Sequence, residues 1–237
     1  MRNVFVLIGL VLTVIGCAIT LPQSVPQYLV HVDSLRGDTF QDRSTFYLFS
    51  GKEGVEPTDL QFREFSNCVR NALTVLGYTE AKDPKQAGIA VFLNYGIGEP
   101  QTTYFSYSYP VYGITGGGTT TFSALASGGG ATTHLSGSAT QPLQFGVVGN
   151  KSKTESRTSY QRYITLEALS VASFSETQQK IPVWKTTITS SGASGDFRAV
   201  FPVMLAASQQ YIAGDTGNRV DVFILGDDPA ILKVLGK

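Results

Sequence analysis

The sequence predicts an α/β (α+β) domain, a two-layer sandwich whose mixed sheet of about five or six strands carries two helices on one face. Short runs of branched and aromatic residues alternate with polar residues, which is typical of strands. Two longer segments are predicted as helices, the first because its apolar residues repeat at spacings of three and four. The order is strand, strand, helix, strand, strand, strand, helix, strand. Two such helices can cover one face of a sheet.

The strands are predicted from alternation and from β-branched and aromatic content. Residues 87–98 have a continuous apolar centre, which is typical of a strand buried on both faces. The predicted strands are 28–35, 45–51, 87–98, 160–172, 181–192 and 219–225.

The two helices are predicted over residues 57–77 and 195–214. Thr58 and Gln61 have the spacing of a capping box at the start of the first helix, and Gly77 follows its last apolar residue. In the second of these segments Pro202 is expected in the first turn of the helix, where a missing N–H costs nothing, so that residues 196–201 form the approach to it. The cysteine of the first helix, Cys68, has apolar neighbours and is predicted to be a buried thiol.

A Gly/Ser/Thr-rich insertion interrupts this series. From Pro100 through Asn150 the chain has no Asp, Glu, Lys or Arg, and ten of its 25 glycines fall in this segment. At the start of the insertion four alternate positions are apolar, which predicts a strand with one aromatic face. These positions are Phe105, Tyr107, Tyr109 and Val111.

Three interpretations of the insertion stay open at this point. It could be a strand that leads into a mobile glycine-rich loop, a protein-binding surface, or a transmembrane β-hairpin of an oligomeric pore. For the second, the candidate partner surface consists of Tyr104, Tyr107, Tyr109 and Tyr112. For the third, the second strand of the hairpin shows a weak pattern, because only Phe122, Ala124 and Ala126 alternate.

The amino terminus predicts a lipoprotein signal peptide over residues 1–16. Arg2 precedes an uncharged apolar run, and a positive start followed by an apolar core is typical of secretory signals. The run ends in VIGC, which resembles the bacterial lipoprotein box. That resemblance implies cleavage between Gly16 and Cys17 and lipid attachment to Cys17. Residues 17–27 then form a lipidated tether.

A single α/β domain, residues 28–237 with the charge-free insertion 100–150, is predicted to follow the tether. By resemblance to enterobacterial sorting rules, Ala18 after the cysteine implies the outer membrane, with the domain in the periplasm. The ten tether residues after the cysteine, 18–27, span at most about 35 Å. The domain is therefore expected to stay close to the membrane that holds the lipid on Cys17.

Composition and motifs argue against several classes of function. The 18 basic and 18 acidic residues balance, whereas a nucleic-acid-binding surface is basic and clustered. The sequence has no Cys/His spacing for a metal, no G-x-S-x-G elbow and no dinucleotide-binding fingerprint. We therefore expect no catalytic residues, no metal, no cofactor and no nucleic-acid partner. The chain is predicted not to be an enzyme.

Six segments carry a resemblance to known proteins. They are DLQFREF, AGIAVFLNYGIGEP, SYPVYGITG, FGVVG, YQRYITLEAL and VWKTTITSSGASGDFRAVFPVMLAASQQYI. As a set they resemble a family of uncharacterised bacterial lipoproteins over essentially the whole mature chain. No biochemical activity comes with that family.

More distantly, the order of elements is similar to the α/β domain of the curli-secretion channel lipoprotein, to the penicillin-binding-protein activator lipoproteins and to the amino-terminal domain of the Tol-system propeller protein. Those proteins bind other envelope proteins or oligomerise. The chain is therefore expected to be a non-enzymatic, lipid-anchored module that binds an envelope protein or associates with itself. The alternative is a subunit of an outer-membrane pore or secretion complex, with insertion 100–150 as its β-hairpin.

Overall fold

The computed structural model describes residues 25–38 and 45–237. The predicted signal peptide, the lipid-attachment residue Cys17 and the tether up to residue 24 lie outside the described residues. The elements are β1 (Gln27–Arg36), β2 (Thr45–Ser50), α1 (Leu60–Val75), β3 (Thr79–Glu80), β4 (Ile89–Ile97), β5 (Gln101–Gly128), β6 (Ala131–Ser170), α2 (Val171–Thr177), β7 (Pro182–Gly192), α3 (Phe197–Ser208), β8 (Val220–Leu225) and α4 (Pro229–Val234).

The described strands form one mixed sheet in the order β3-β2-β4-β6-β7-β1-β8, and β5 pairs with β6 outside this path. β2 runs parallel to both β3 and β4, whereas the remaining pairs are antiparallel. The α+β class and the mixed sheet are confirmed. The predicted count of five or six strands is wrong, because the two-residue β3 has no sequence pattern and the insertion contributes β5.

Helices α1, α3 and α4 pack together on one face of the sheet. Strand β4 shows how the sequence produces this layer, because its alternate residues Ile89, Val91, Leu93 and Tyr95 are buried beneath the helices. The buried stripe of α1 faces the same layer. Trp184 of β7, the one tryptophan in the chain, is 1% exposed, as expected for a core residue.

An aromatic cluster lies between α1, α3 and β4. Phe65 stacks on Phe201 with ring centroids 4.2 Å apart, and its ring meets Tyr95 edge-on at 4.8 Å and Phe197 edge-on at 5.5 Å. Stacked and edge-on pairs of this kind add to the free energy gained by burial. Because Tyr95 is close to the end of β4, this cluster fixes the end of the sheet from which β5 departs.

The start of α1 differs from the capping box predicted at Thr58 and Gln61. Asp59 is the N-cap, and its side chain accepts a hydrogen bond of 2.8 Å from the Phe62 N–H. Aspartate and threonine are both good N-cap residues, so adjacent candidates cannot be separated by residue type alone. Gly77 follows the helix with φ +91°, a conformation that glycine adopts readily, as the sequence predicted.

The expected position of Pro202 in the first turn of the second helix is wrong. The Asp196 carboxylate accepts a hydrogen bond of 3.1 Å from the Ala199 N–H, so α3 begins at Phe197 and Pro202 lies inside the helix. Burial of residues 200–208 offsets the roughly 3 kcal/mol that a proline costs inside a helix.

Two short helices were not predicted. Helix α2 occupies part of the connection expected as a turn between two strands, and Ser170 caps it. Helix α4 follows β8, where its N-cap Asp228 accepts a hydrogen bond from the Ala230 N–H and Pro229 begins the first turn. Both helices are shorter than two and a half turns, so their apolar periodicity is too brief to detect.

The aromatic cluster yields a test of stability. Phe65→Ala is expected to lower the free energy of unfolding by about 3–5 kcal/mol, because it leaves a cavity among three other rings. Leu60→Ala on the same helix should change it by less than about 0.5 kcal/mol, because Leu60 is 77% exposed. Urea denaturation of the mature chain with Cys17→Ser and with residues 112–148, which lie outside this core, replaced by Asn-Gly measures both through Trp184 fluorescence. Equal losses would contradict the packing described.

The environment of Cys68 yields a test of reactivity. Its side chain is 6% exposed, as predicted, and burial, followed by the charge of Glu64, raises the thiol pKa. The thiolate fraction at pH 8 is therefore low, and we expect the folded Cys17→Ser chain to react slowly with a disulfide reagent such as DTNB. Guanidinium should restore a fast reaction. Rapid modification of the folded chain would show that the α1 packing is wrong.

Candidate functional site

The insertion forms a long two-stranded ribbon, residues 101–159, that extends from the sheet. Residues 101–128 of β5 pair with residues 131–159 of β6, and the rest of β6 lies between β4 and β7 in the sheet. β5 alone has 28 residues, which corresponds to a length of about 90 Å. Because β6 is a single strand that belongs to both parts, the ribbon continues the core sheet.

This ribbon replaces the mobile glycine-rich loop that was one interpretation of the sequence. It also corrects the assignment of Phe122, Ala124 and Ala126 to the second strand of a hairpin. These residues belong to the first strand, which runs on to Gly128 and turns at Gly129 and Gly130. The true second strand begins at residue 131.

The ribbon has three parts, named here by their residues. The base is 101–111 paired with 149–159, the middle is 112–118 with 141–148, and the tip is 119–128 with 131–140. The register is regular in the base and in the tip. Irregularities of pairing fall at the junction of base and middle and within the middle.

The two faces of the base differ in chemistry. One face, called here the charged face, carries Phe105, Tyr107 and Tyr109 of β5 opposite Glu155, Lys153 and Lys151 of β6, with Arg157 beyond them. Glu155 joins two of its neighbours: it accepts a hydrogen bond of 3.1 Å from the Tyr107 hydroxyl and pairs with the Lys153 ammonium at 2.7 Å. The other face carries hydroxyl pairs such as Ser106 with Thr154, 2.9 Å apart.

The predicted tyrosine surface is therefore divided. Tyr107 and Tyr109 share the charged face, with ring centroids 6.4 Å apart, and Phe105 and Val111 lie on the same side as expected. Tyr104 and Tyr112 occupy alternate positions on the opposite side. Since side chains alternate along a strand with period two, odd and even positions cannot form one contact surface.

The tip is amphipathic once both strands are considered. Phe122 faces Gly137, Ala124 faces Leu135, and the neighbouring pairs on that side are Ala126 with Thr133 and Thr120 with Ala139. The opposite side is lined by hydroxyls together with Leu125 and His134. Its members are Thr119, Thr121, Ser123, Leu125, Ser127, Thr132, His134, Ser136, Ser138 and Thr140. One side of the tip is therefore mainly apolar and the other mainly polar.

The middle places four apolar side chains on one side. Tyr112 pairs with Val147 and Ile114 with Phe145, while Gly113 and Gly146 pair on the other side. Two irregularities of pairing follow. After the second one, the strands return to the register of the pairs Tyr112–Val147 and Ile114–Phe145. Gly117 lies within the second irregularity with φ +100°, and a Cβ there would clash with the Pro142 carbonyl oxygen. Only glycine fits this bend without strain.

The ribbon leaves apolar side chains and backbone groups without partners among the described residues. Phe145 is 76% exposed, and most of the other large apolar side chains of the ribbon are also exposed. Each strand of the ribbon pairs on one side only, so each has an outer edge whose N–H and C=O groups bond to no other described strand. An isolated two-stranded hairpin is marginal in water, and an exposed edge of this length is a template for pairing.

The ribbon leaves the sheet at the same end as the amino-terminal segment. Ile97, Arg162, Ser190 and Val30 lie in one row across β4, β6, β7 and β1. From that row β4 runs onward into the ribbon, and β1 runs back to its first residue, Gln27, in the same direction. The predicted tether, which ends at Gln27, therefore reaches the domain at the root of the ribbon.

Arg162 lies buried below this root. Its side chain is 2% exposed, and its Nε and Nη1 atoms have no hydrogen-bond partner within the described part of the chain. Burial lowers the pKa of the guanidinium, while the nearby Tyr28 raises it. The guanidinium covers Gly192, where a Cβ would be 2.5 Å from Nη2. Arg162 was not singled out from the sequence, because its alternating strand pattern is ordinary.

A shallow groove of about 530 Å³ lies at the opposite end of the sheet, on the face away from α1 and α3. Its walls include Phe49, Phe92 and Phe174, and two lysines, Lys85 and Lys180, line it as well. Across residues 25–38 and 45–237, no group of three or more His, Cys, Asp or Glu could hold a metal ion. No helix in those ranges has the length and apolar character needed to span a membrane.

Comparisons with known proteins give little support for any identity. No protein-family model matches the chain. No curated protein matches it.

Among solved structures, a PDZ domain protein from Parabacteroides distasonis ATCC 8503 is similar at 12% identity and a TM-score of 0.35. The match covers 83% of this chain and 38% of that protein. A lysenin pore is similar at 8% identity and a TM-score of 0.13, covering 86% of this chain and 50% of the other. Neither similarity is strong enough to carry an argument about fold or function.

The exposed apolar side chains of the ribbon generate a prediction about solubility. The mature chain with Cys17→Ser is expected to need detergent, because the middle and the tip expose apolar side chains on a two-stranded ribbon. Replacing residues 112–148 by Asn-Gly, which joins the paired residues Val111 and Gly149 in a tight turn, should yield a monomer in water. Analytical ultracentrifugation with and without detergent measures both. A detergent-free monomer of the unshortened chain would contradict this view of the ribbon.

Proposed function

We propose that the chain is a lipid-anchored subunit of an oligomeric outer-membrane pore or secretion complex. Each copy contributes its ribbon as a transmembrane β-hairpin, and the α+β domain stays in the periplasm. The observation that carries the proposal is the register of the tip, which gives one hairpin a mainly apolar side and a mainly polar side. Strands that cross a membrane around an aqueous channel alternate in this way, with apolar residues toward lipid.

The dimensions of the ribbon support this role. A tilted strand needs about 9–11 residues to cross the hydrocarbon core of a bilayer. The tip alone supplies ten residues on each strand, 119–128 and 131–140. The middle adds the apolar pair Ile114 and Phe145, and Tyr112 supplies an aromatic side chain of the kind that borders such spans.

The charge distribution supports it as well. A charged side chain on the lipid side of a membrane strand costs about 2–4 kcal/mol at the midplane. The stretch from Pro100 through Asn150 has no charged residue, and charges return at Lys151, in the base of the ribbon. The uncharged stretch therefore includes the whole middle and the whole tip.

Self-association follows from the unpaired edges of the ribbon. Inside a bilayer every unpaired backbone N–H or C=O costs several kcal/mol, so membrane-spanning strands form closed sheets. One ribbon supplies two strands and two open edges. Copies of the chain arranged in a ring pair the outer edge of each β5 with the outer edge of the next β6, and this closes the sheet.

The position of the tether agrees with this arrangement. Gln27, where the predicted tether ends, and the root of the ribbon lie at the same end of the sheet. A lipid in the inner leaflet of the outer membrane then holds the domain with its ribbon directed toward the bilayer. The self-associating module predicted from the sequence becomes a specific case, in which the partner is another copy of the chain.

The test labels adjacent residues on opposite sides of the tip. Ser123→Cys and Ala124→Cys variants of the full lipid-anchored chain carry an environment-sensitive dye, with Cys17 lipidated and Cys68 buried. In vesicles, a quencher attached to lipid should act on the dye at residue 124, and aqueous iodide should act on the dye at residue 123. Release of a trapped dye from the same vesicles reports pore formation.

The matched control is the chain in which Asn-Gly replaces residues 112–148, which should bind vesicles through its lipid without releasing dye. Equal access of iodide to both labelled positions would show that the ribbon stays in water. That result would overturn the proposed pore and favour a surface for a water-soluble envelope protein.

A further inference from the structure

We infer that the pore selects anionic solutes or acidic polypeptides, through a ring of positive charge at its domain-side mouth. The inference rests on the proposed function and adds the class of substrate. The ring consists of Lys151, Lys153 and Arg157 from each copy, on the charged face of the base. Rings of lysine and arginine are a common means of anion selection in pores.

The sides of the ribbon decide where these charges point. Along β5, residues 106, 108, 110, 112 and 114 lie on one side, and Tyr112 and Ile114 mark the side that faces lipid. The charged face carries the odd-numbered residues of β5, including Tyr107 and Tyr109, and lies on the opposite side. In a closed ring of ribbons that opposite side faces the aqueous channel.

The net charge of the base is positive even when its acidic residue, Glu155, is included. Glu155 pairs with Lys153 at 2.7 Å, and the Lys153 ammonium and the Tyr107 hydroxyl lower the pKa of its carboxyl, so it stays ionised. Within the described chain, Lys151 and Arg157 take part in no ion pair. The acidic Glu99 precedes the first residue of the ribbon, Gln101, so Glu155 is the one acidic residue within the ribbon. Each copy thus adds two uncompensated positive charges to the mouth, and the whole uncharged span follows beyond them.

Tyr109 suits the same substrate class, whereas the Tyr107 hydroxyl already donates its hydrogen bond to Glu155. Tyr109 stands opposite Lys151 on the charged face. Tyrosine hydroxyls donate hydrogen bonds to carboxylates and other anionic oxygens. Beyond the mouth, the middle and the tip contain no acidic side chain, so an anion meets no negative charge there.

The experiment measures ion selectivity of the full lipid-anchored protein in planar bilayers with a KCl gradient. Wild-type channels should show a reversal potential that favours chloride. The Lys151→Gln/Arg157→Gln variant should lower the chloride-to-potassium permeability ratio by about threefold at 0.1 M salt, where the Debye length is about 10 Å. The preference of the wild type should fade at 1 M salt, where the Debye length is about 3 Å.

The matched control is Lys85→Gln/Lys180→Gln, which removes two positive charges at the opposite end of the sheet and should leave selectivity unchanged. Lys151→Glu/Arg157→Glu should reverse the preference toward potassium, and dye release from vesicles confirms that each variant still inserts.

Wild-type channels without a preference for chloride, or a preference that both substitutions leave unchanged, would overturn this inference while the pore stands. If the wild type forms no channels at all, the proposed function and this inference fail together.

Discussion

The hydrogen-bonding groups along the outer edges of the ribbon are the constraint on which the rest of the structure depends. A two-stranded ribbon about 90 Å long satisfies only its inner edges, and no other strand of the described chain reaches the outer ones. Unpaired backbone groups are costly wherever water is excluded, and exposed edges invite pairing where it is not. Within the described chain, the two outer edges of the ribbon therefore remain without a partner strand.

The core explains how such a ribbon can be held. β6 is shared by the ribbon and the centre of the sheet, so the direction of the ribbon is set by the pairing of β6 with β4 and β7. Phe65, Phe201 and Tyr95 pack at the end of the sheet where the ribbon begins. A rigid root suits the proposed assembly, in which each copy aligns its strands with those of its neighbours, because a slip of one residue exchanges the two sides of the hairpin.

Local patterns in the sequence predicted the local parts of this structure. The α1 stripe, the buried Trp184 and the α+β class follow from spacing and composition, and the structure agrees. The second strand of the ribbon could not be found in this way. Leu135 lies alone in a run of small and polar residues, and it becomes part of an apolar side only when the register sets it opposite Ala124. Pairing between distant residues is information that a single-strand pattern does not contain.

The same register separates the two interpretations of the ribbon that remain. A water-soluble partner would have to cover exposed apolar side chains on both strands, and the two open edges would stay available for pairing with other strands. Lipid can cover the apolar side, water can reach the polar side, and copies of the chain can pair with the edges, without any further component. The absence of charge from residue 100 to residue 150 fits this division, since a surface in water gains solubility from charged residues and a membrane span is penalised by them. The ribbon is thus better matched to a bilayer and its own copies than to a single soluble partner.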